Sequence, residues 1–133
     1  MAKRPVEEMT NELMAIPSVV MIGSRGLGLE HWEDTDLVIM IDDLPDGLEG
    51  YKSFDISRYF KVVPLGNHYL IKAYDDTNSK LDVIVMDNRK VVNQVRQAMS
   101  DIKYVPRYIM EYKEERIKMF ELALEHAIST GKG

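Results

Sequence analysis

Two aspartates two residues apart, Asp34 and Asp36, stand at the mouth of the apolar run 37–41. Side chains two apart in a strand point to the same face, so a strand here would hold two carboxylates side by side. Such carboxylates repel each other and lose hydration unless a cation or a proton lies between them. Mg²⁺ suits this position because it takes oxygen ligands and combines one or two carboxylates with substrate phosphates. The pair predicts a cation site.

The composition bounds the class of protein. We expect one α/β (α+β) domain over residues 1–133, because 133 residues with 45% hydrophobic content can bury a sizeable core. No apolar run reaches 18 residues, and acids occupy the start of the chain, so we expect a cytoplasmic protein with no membrane partner. The absence of cysteine excludes disulfides and thiolate zinc sites. A net charge of -5 argues against a broad basic face for nucleic acid, although a small local patch stays open.

Apolar periodicity and turn residues predict a small mixed sheet backed by helices. A short amphipathic helix is expected from Val6 to Met14, and the sheet core is expected over residues 18–86. The predicted strands are 18–22, 36–41, 59–65, 68–74 and 80–86, with Gly66-Asn67 as the turn between the third and the fourth. Asn88 is a predicted helix cap, and two amphipathic helices follow over residues 88–128. Their predicted apolar faces are Val91, Val92, Val95, Ala98 and Met99, then Ile109, Tyr112, Ile117, Phe120, Leu124 and Ile128.

A third aspartate extends the pair at the mouth of the second strand. Asp82 lies in the apolar run 81–85, where a lone carboxylate costs free energy unless it is paired or binds a cation. Neighbouring strands can bring it beside the first two carboxylates. Gly23 and Ser24 end the first strand, and a small residue lets backbone amides approach phosphate oxygens. Arg25 or Lys72 can add a full positive charge.

Together these motifs resemble the polymerase-beta-like nucleotidyltransferase superfamily, in particular its small stand-alone members, including minimal nucleotidyltransferases and the RNA-ligase-associated group of phages and bacteria. The matching pieces cover residues 18–86 and read Ile22-Gly23-Ser24, nine intervening residues, Asp34-Thr35-Asp36-Leu37, and later Leu81-Asp82-Val83. One departure is Glu33, which stands where many relatives have serine and adds negative charge.

The resemblance implies a function and a role for each residue of the motifs. Asp34, Asp36 and Asp82 would be catalytic metal ligands for Mg²⁺, with two ions expected and Mn²⁺ as a possible substitute. Asp82 would also help to deprotonate the acceptor. Gly23 and Ser24 would hold phosphate, and Arg25 and Lys72, predicted above as sources of positive charge, complete the expected nucleotide-binding residues. The implied reaction moves a nucleoside monophosphate from a nucleoside triphosphate such as ATP to a hydroxyl of an RNA end, such as that of tRNA, or of a protein side chain.

Other interpretations stay open. The aspartate pair alone is as typical of a solvated turn as of a metal site, and the site is favoured by the combined motifs. His31 and Trp32 can stack on a base, but a surface histidine and a half-buried tryptophan are commoner outcomes. The basic residues from 103 to 118 alternate with acids, which favours a solvated helix face. The rival functions are a non-catalytic, antitoxin-like module that binds nucleotide or protein, and a metal-dependent phosphohydrolase.

Overall fold

A mixed sheet forms the centre of the molecule. Within the described residues its strands are β1 (Val20–Ile22), β2 (Asp34–Met40), β3 (Lys52–Ile56), β4 (His68–Tyr74) and β5 (Lys80–Met86). Their order across the sheet is β1-β2-β5-β4-β3, with β2 and β5 parallel and the other neighbours antiparallel. The computed structural model describes residues 4–48, 50–56, 60 and 68–131, and of His68 only the backbone.

Helices cover both faces of this sheet. In the part of the chain that is described they are α1 (Val6–Met14), α2 (Gly23–Gly26), α3 (Arg89–Ile102), α4 (Arg107–Met110) and α5 (Lys113–Ser129). This arrangement confirms the predicted α/β (α+β) class, a mixed sheet backed by helices. None of the helices in the described ranges is long and apolar enough to cross a membrane.

The two faces of the sheet pack against different helices. Val38 and Ile84 point to the face covered by α3 and α5. Leu37 and Val83, one residue earlier on each strand, point to the face covered by α1. The central strands β2 and β5 are buried on both faces along most of their length, which explains why they read as continuous apolar runs.

The first helix has the predicted bounds, and a distant side chain caps it. The carboxylate of Asp75, in the turn between β4 and β5, accepts a hydrogen bond of 2.8 Å from the backbone N–H of Val6. It also accepts bonds from the backbone N–H groups of Thr77 and Ser79 in its own turn. These donors, with the Thr77 hydroxyl, hold the pKa of Asp75 at about 2. The cap ties the start of α1 to the sheet.

Thr10 in α1 offers a test of how this helix packs. Its side chain is 1% exposed, and its hydroxyl has no hydrogen-bond partner among the described residues. We expect Thr10→Val, which keeps the shape and removes the unpaired hydroxyl, to raise the free energy of unfolding by about 1 kcal/mol. Urea denaturation measures this change, with Thr10→Ser as the control that keeps the hydroxyl and should not stabilise. A less stable valine variant would show that the hydroxyl does have a partner.

The C-terminal half follows the predicted helices with one correction. The Asn88 side chain accepts bonds from the backbone N–H groups of Lys90 and Val91, which confirms the predicted cap of α3. The second predicted apolar face is wrong in part, because Tyr112 is 69% exposed and Ile117 is 46% exposed. The helix is interrupted between α4 and α5. The apolar residues of α5 therefore do not continue the apolar stripe of α4 at helical spacing.

The sheet differs from its prediction at both edges, since β1 begins at Val20 and not at residue 18, and the unpredicted strand β3 lies at the other edge. β3 was not predicted, since Lys52–Ile56 is a short, mostly exposed edge strand in which only Phe54 and Ile56 alternate with polar residues. β3 pairs with β4, for which the bounds were predicted. The predicted strand 59–65 and its Gly66-Asn67 turn lie outside the described residues, apart from Phe60.

Candidate functional site

The three aspartates lie on one face of the sheet because of the register between β2 and β5. Asp36 stands directly opposite Asp82 in the parallel pairing. Asp34 lies two residues before Asp36 on the same strand and so shares its face. The structure therefore brings together the three carboxylates that the motifs single out. Their roles as metal ligands stay predictions.

The aspartates occupy the end of the face that α3 and α5 cover. Val38 and Ile84, the next residues along this face, are fully buried in the core beneath those helices. Asp36 and Asp82 are only partly exposed, and the Asp82 side chain is 17% exposed. The carboxylates thus stand at the boundary between a dry core and an open cleft, where charges interact more strongly than in water.

Burial and mutual repulsion change how the carboxylates titrate. Burial, followed by the negative charges of Asp82 and Asp34, raises the pKa of Asp36 to about 7. The Asp36 carboxyl shares a hydrogen bond with that of Asp82. Burial also raises the pKa of Asp82, and the charge of Lys72 partly opposes this change. With this pKa the Asp36 carboxyl is about half protonated at neutral pH, chiefly because burial penalises its charged form.

Lys72 stands beside this cluster in the sheet and contacts one of its carboxylates. It pairs with Asp82 across β4 and β5, and its Nζ lies 3.8 Å from Oδ1 of Asp82. Its side chain is 55% exposed, so the contact is loose and the ammonium group can reach a ligand. This position is compatible with the predicted phosphate contact.

Gly23 brings the backbone against the carboxylate of Asp36. Ile22 pairs with Asp36 across β1 and β2, and Gly23 follows with a φ of 71°. A Cβ added at Gly23 would lie 2.6 Å from Oδ2 of Asp36, closer than real contacts allow. The predicted glycine-rich turn is thus the single helical turn α2, and the close approach requires glycine at its first position. Ser24 follows it and lines the same cleft.

Gly23→Ala is expected to disturb this contact. The left-handed backbone should cost about 1 kcal/mol of stability, and the added Cβ should displace the Asp36 carboxylate. We expect any metal-dependent reaction at the three aspartates to slow more than about tenfold, since small misplacements of reacting groups have large effects. Gly28→Ala is the matched control, because Gly28 has a φ of 73° but a Cβ there meets nothing within 4 Å. Equal rates in both variants would contradict the role of the contact.

Arg25 lies elsewhere than the other predicted nucleotide contacts. Its guanidinium donates a 2.8 Å hydrogen bond to the Thr35 hydroxyl and forms a 2.6 Å ion pair with Glu7 of α1. Thr35 lies between Asp34 and Asp36 and points to the opposite face of the sheet. Arg25 also packs over the Trp32 ring, 4.2 Å from its centroid. A phosphate contact by Arg25 would have to replace these partners.

A cleft of about 1110 Å³ opens over the three aspartates. Its floor includes the glycine-rich turn and the aspartates, and its rim includes His31, Trp32 and Glu33. The opposite wall comes from α5 and includes Lys113, Arg116, Ile117, Phe120 and Glu121. The sequence does not reveal this wall, because Ile117 and Phe120 fit the apolar stripe of a helix packed on the core as well as they fit the lining of a cleft. The exposed indole of Trp32, at 42%, is available to a ligand.

The donor set suits a divalent cation of the Mg²⁺ type. Three carboxylates offer hard oxygen ligands, and the raised pKa of Asp36 shows a local need for positive charge. As the side chains stand, no group of three or more His, Asp or Glu residues in the described ranges is gathered tightly enough to hold a metal ion. Asp34, Asp36 and Asp82 are the residues that would hold one, because they share one face of the sheet. Comparison with protein-family models, curated proteins and solved structures finds no match for this chain.

Proposed function

We propose that this protein is a magnesium-dependent nucleotidyltransferase of the polymerase-beta-like type, which moves a nucleoside monophosphate from a nucleoside triphosphate to a hydroxyl acceptor. The observation that carries the proposal is the register of β2 and β5, which sets Asp36 opposite Asp82 with Asp34 on the same face. A buried run of carboxylates with an unmet need for positive charge is costly to a fold that makes no use of it. The open cleft above it has the size of a nucleotide site.

The reaction assigns a task to each part of the site. The acceptor oxygen attacks the α-phosphorus of the triphosphate, a new P–O bond forms, and the bond from that phosphorus to the bridging oxygen breaks to release pyrophosphate. Asp82 accepts the proton of the acceptor hydroxyl. Asp34, Asp36 and Asp82 would hold Mg²⁺, which when bound supplies the positive charge that attacking and leaving oxygens require.

Binding of the triphosphate falls to the residues around the aspartates. Gly23 and Ser24 offer backbone amides and a hydroxyl on the cleft side of β1, and Lys72 offers a mobile positive charge beside Asp82. Trp32, on the rim, has the Arg25 guanidinium over its ring and is 42% exposed, so a base would stack on the part of the ring that Arg25 leaves open. The acceptor is a hydroxyl of an RNA end or of a protein side chain.

Transfer of labelled nucleotide tests the proposal. Each of the four α-labelled nucleoside triphosphates is incubated with Mg²⁺, total RNA and total protein, and wild type is compared with Asp36→Ala. We expect label in a macromolecular acceptor and equimolar pyrophosphate with wild type alone. Pyrophosphate or phosphate without a labelled acceptor would favour the phosphohydrolase instead. Magnesium-dependent nucleotide binding without turnover would favour the non-catalytic, antitoxin-like module.

A further inference from the structure

Three exposed tyrosines stand between α3 and α5, and none of them lines the cleft. Tyr104 is 90% exposed, Tyr108 is 70% exposed and Tyr112 is 69% exposed. They recur every fourth residue. Such large rings are usually at least half covered, and a cluster left in water marks a surface that binds something.

The backbone beneath these rings is well anchored. Met110, between the second and third tyrosines, is buried at 3% exposure, and Val105 packs against the same core. Arg116 donates a 2.9 Å hydrogen bond to the Met110 carbonyl oxygen. The backbone N–H of Arg116 also donates to the Tyr112 carbonyl oxygen at 2.9 Å. The rings are therefore exposed on a fixed support, which lowers the entropy cost of binding.

The charges around the tyrosines select the kind of ligand. Residues 103–113 contain Lys103, Arg107 and Lys113 against the one acid Glu111, and the acids Asp101, Glu114 and Glu115 flank this segment. Lysine is depleted at protein interfaces but is an ordinary phosphate contact. Exposed rings alternating with cations suit a strand whose bases stack and whose phosphates need neutralising.

The tyrosine surface adjoins the cleft. Arg107 donates a 2.6 Å hydrogen bond to the carbonyl oxygen of Gly28, in the loop that follows α2. Lys113 lies next to Tyr112 in the chain and lines the wall of the cleft opposite the aspartates. A strand lying on the tyrosines would have a short route to the carboxylates.

We infer that Tyr104, Tyr108 and Tyr112 form a stacking surface for a single-stranded polynucleotide, with Lys103, Arg107 and Lys113 contacting its phosphates. Acids at the start of α5 limit the basic area, so the binding should be moderate and should involve about three phosphates. The logarithm of the association constant should then fall with the logarithm of salt concentration with a slope of about -2. Only the role of the bound strand as acceptor rests on the proposed function.

Fluorescence anisotropy of labelled ten-residue oligonucleotides tests the surface directly. The full chain is titrated in EDTA without nucleotide against single-stranded RNA, single-stranded DNA and a duplex. Two triple variants are compared: tyrosine to leucine at 104, 108 and 112, which keeps apolar area and removes the ring faces, and tyrosine to phenylalanine, which keeps the rings. We expect wild type to prefer single strands to duplex. The leucine variant should bind roughly 100-fold more weakly, and the phenylalanine variant within about threefold of wild type.

The controls separate stacking from folding. Phe54→Leu removes an exposed ring of β3 and should leave binding unchanged. If the leucine triple does not fold, the single variants Tyr108→Leu and Tyr108→Phe give the same comparison. We then expect the leucine variant to bind the oligonucleotide roughly tenfold more weakly than the phenylalanine variant. Tighter binding of RNA than of DNA would indicate contacts with the 2′-hydroxyl. Equal affinity for RNA and DNA would indicate that only the rings and the phosphate contacts bind the strand. Both results support the surface.

Three results would overturn the inference. The first is no binding of any oligonucleotide by wild type, and the second is equal binding by the leucine and phenylalanine triples. The third is a wild-type dimer that only the leucine triple fails to form, with RNA binding unchanged. That result would assign the rings to contact with a second copy of the chain. Strand binding without nucleotide transfer would count against the proposed function and leave the surface intact. Transfer to RNA with both transfer and strand binding unchanged in the leucine triple would contradict the surface and leave the function intact.

Discussion

Asp36→Asn is expected to reduce nucleotide transfer at least 1000-fold, which corresponds to a loss of about 4 kcal/mol of transition-state stabilisation. Asp36 lies between Asp34 on its own strand and Asp82 on the next, so any cation shared by the three depends on its charge. Asparagine keeps the size of the side chain and removes that charge. Initial rates of label transfer at saturating triphosphate and Mg²⁺ measure the change.

A second aspartate on an unrelated strand provides the control. Asp55 is exposed on the edge strand β3, and Asp55→Asn makes the same chemical change away from the cleft. We expect its transfer rate to stay within about twofold of wild type, as for surface changes in general. Comparable losses in the two variants would show that net charge, and not the cluster, controls the rate.

The Asp36→Asn substitution should also make the protein more stable at pH 8 when no divalent cation is present. The pKa of Asp36 rises from its ordinary value of 3.8 to about 7 on folding. The folded protein therefore holds a proton that the unfolded chain has released between these two values. Stability falls as pH rises through this window, and by pH 8 the cost is about 2 to 4 kcal/mol. An asparagine side chain avoids this cost and can still donate a hydrogen bond to Asp82.

Urea denaturation in EDTA at pH 5 and pH 8 measures the effect. The advantage of the asparagine variant over wild type should grow between the two pH values, because the wild type loses its shared proton over that range. Added Mg²⁺ at pH 8 should stabilise wild type more than the variant, since a ligand stabilises the state that binds it. A stability difference that does not change with pH, or an equal response to Mg²⁺, would contradict a cation site at the three carboxylates.

Local chemistry in the sequence was sufficient for much of the fold. The bounds of α1, β4 and β5 follow from apolar periodicity and from turn residues, and the Asn88 cap follows from its amide next to an apolar stripe. We expected Asp36 and Asp82 to lie close together only if their strands are neighbours in the sheet. Two-residue periodicity then fixes the face but not the register, which the structure supplies.

Features that depend on distant parts of the chain were missed. β3 is a short exposed edge strand in which only Phe54 and Ile56 alternate with polar residues, and pairing with β4 defines it. The wall of the cleft from α5 depends on how Ile117 and Phe120 face the sheet, which a helical stripe does not reveal. Arg25 turns toward α1 because Glu7 and Thr35 offer it partners there, and neither is adjacent to it in sequence.

A crystal structure with Mn²⁺ and a non-hydrolysable nucleoside triphosphate tests the central claim most directly, since anomalous scattering locates the metal without reference to activity. We expect Mn²⁺ to be bound by carboxylate oxygens of Asp34, Asp36 and Asp82. The same structure should place phosphate oxygens against the backbone of Gly23 and Ser24, with Lys72 turned toward them. Metal or triphosphate bound elsewhere in the molecule, with Asp36 and Asp82 still sharing a hydrogen bond, would contradict it.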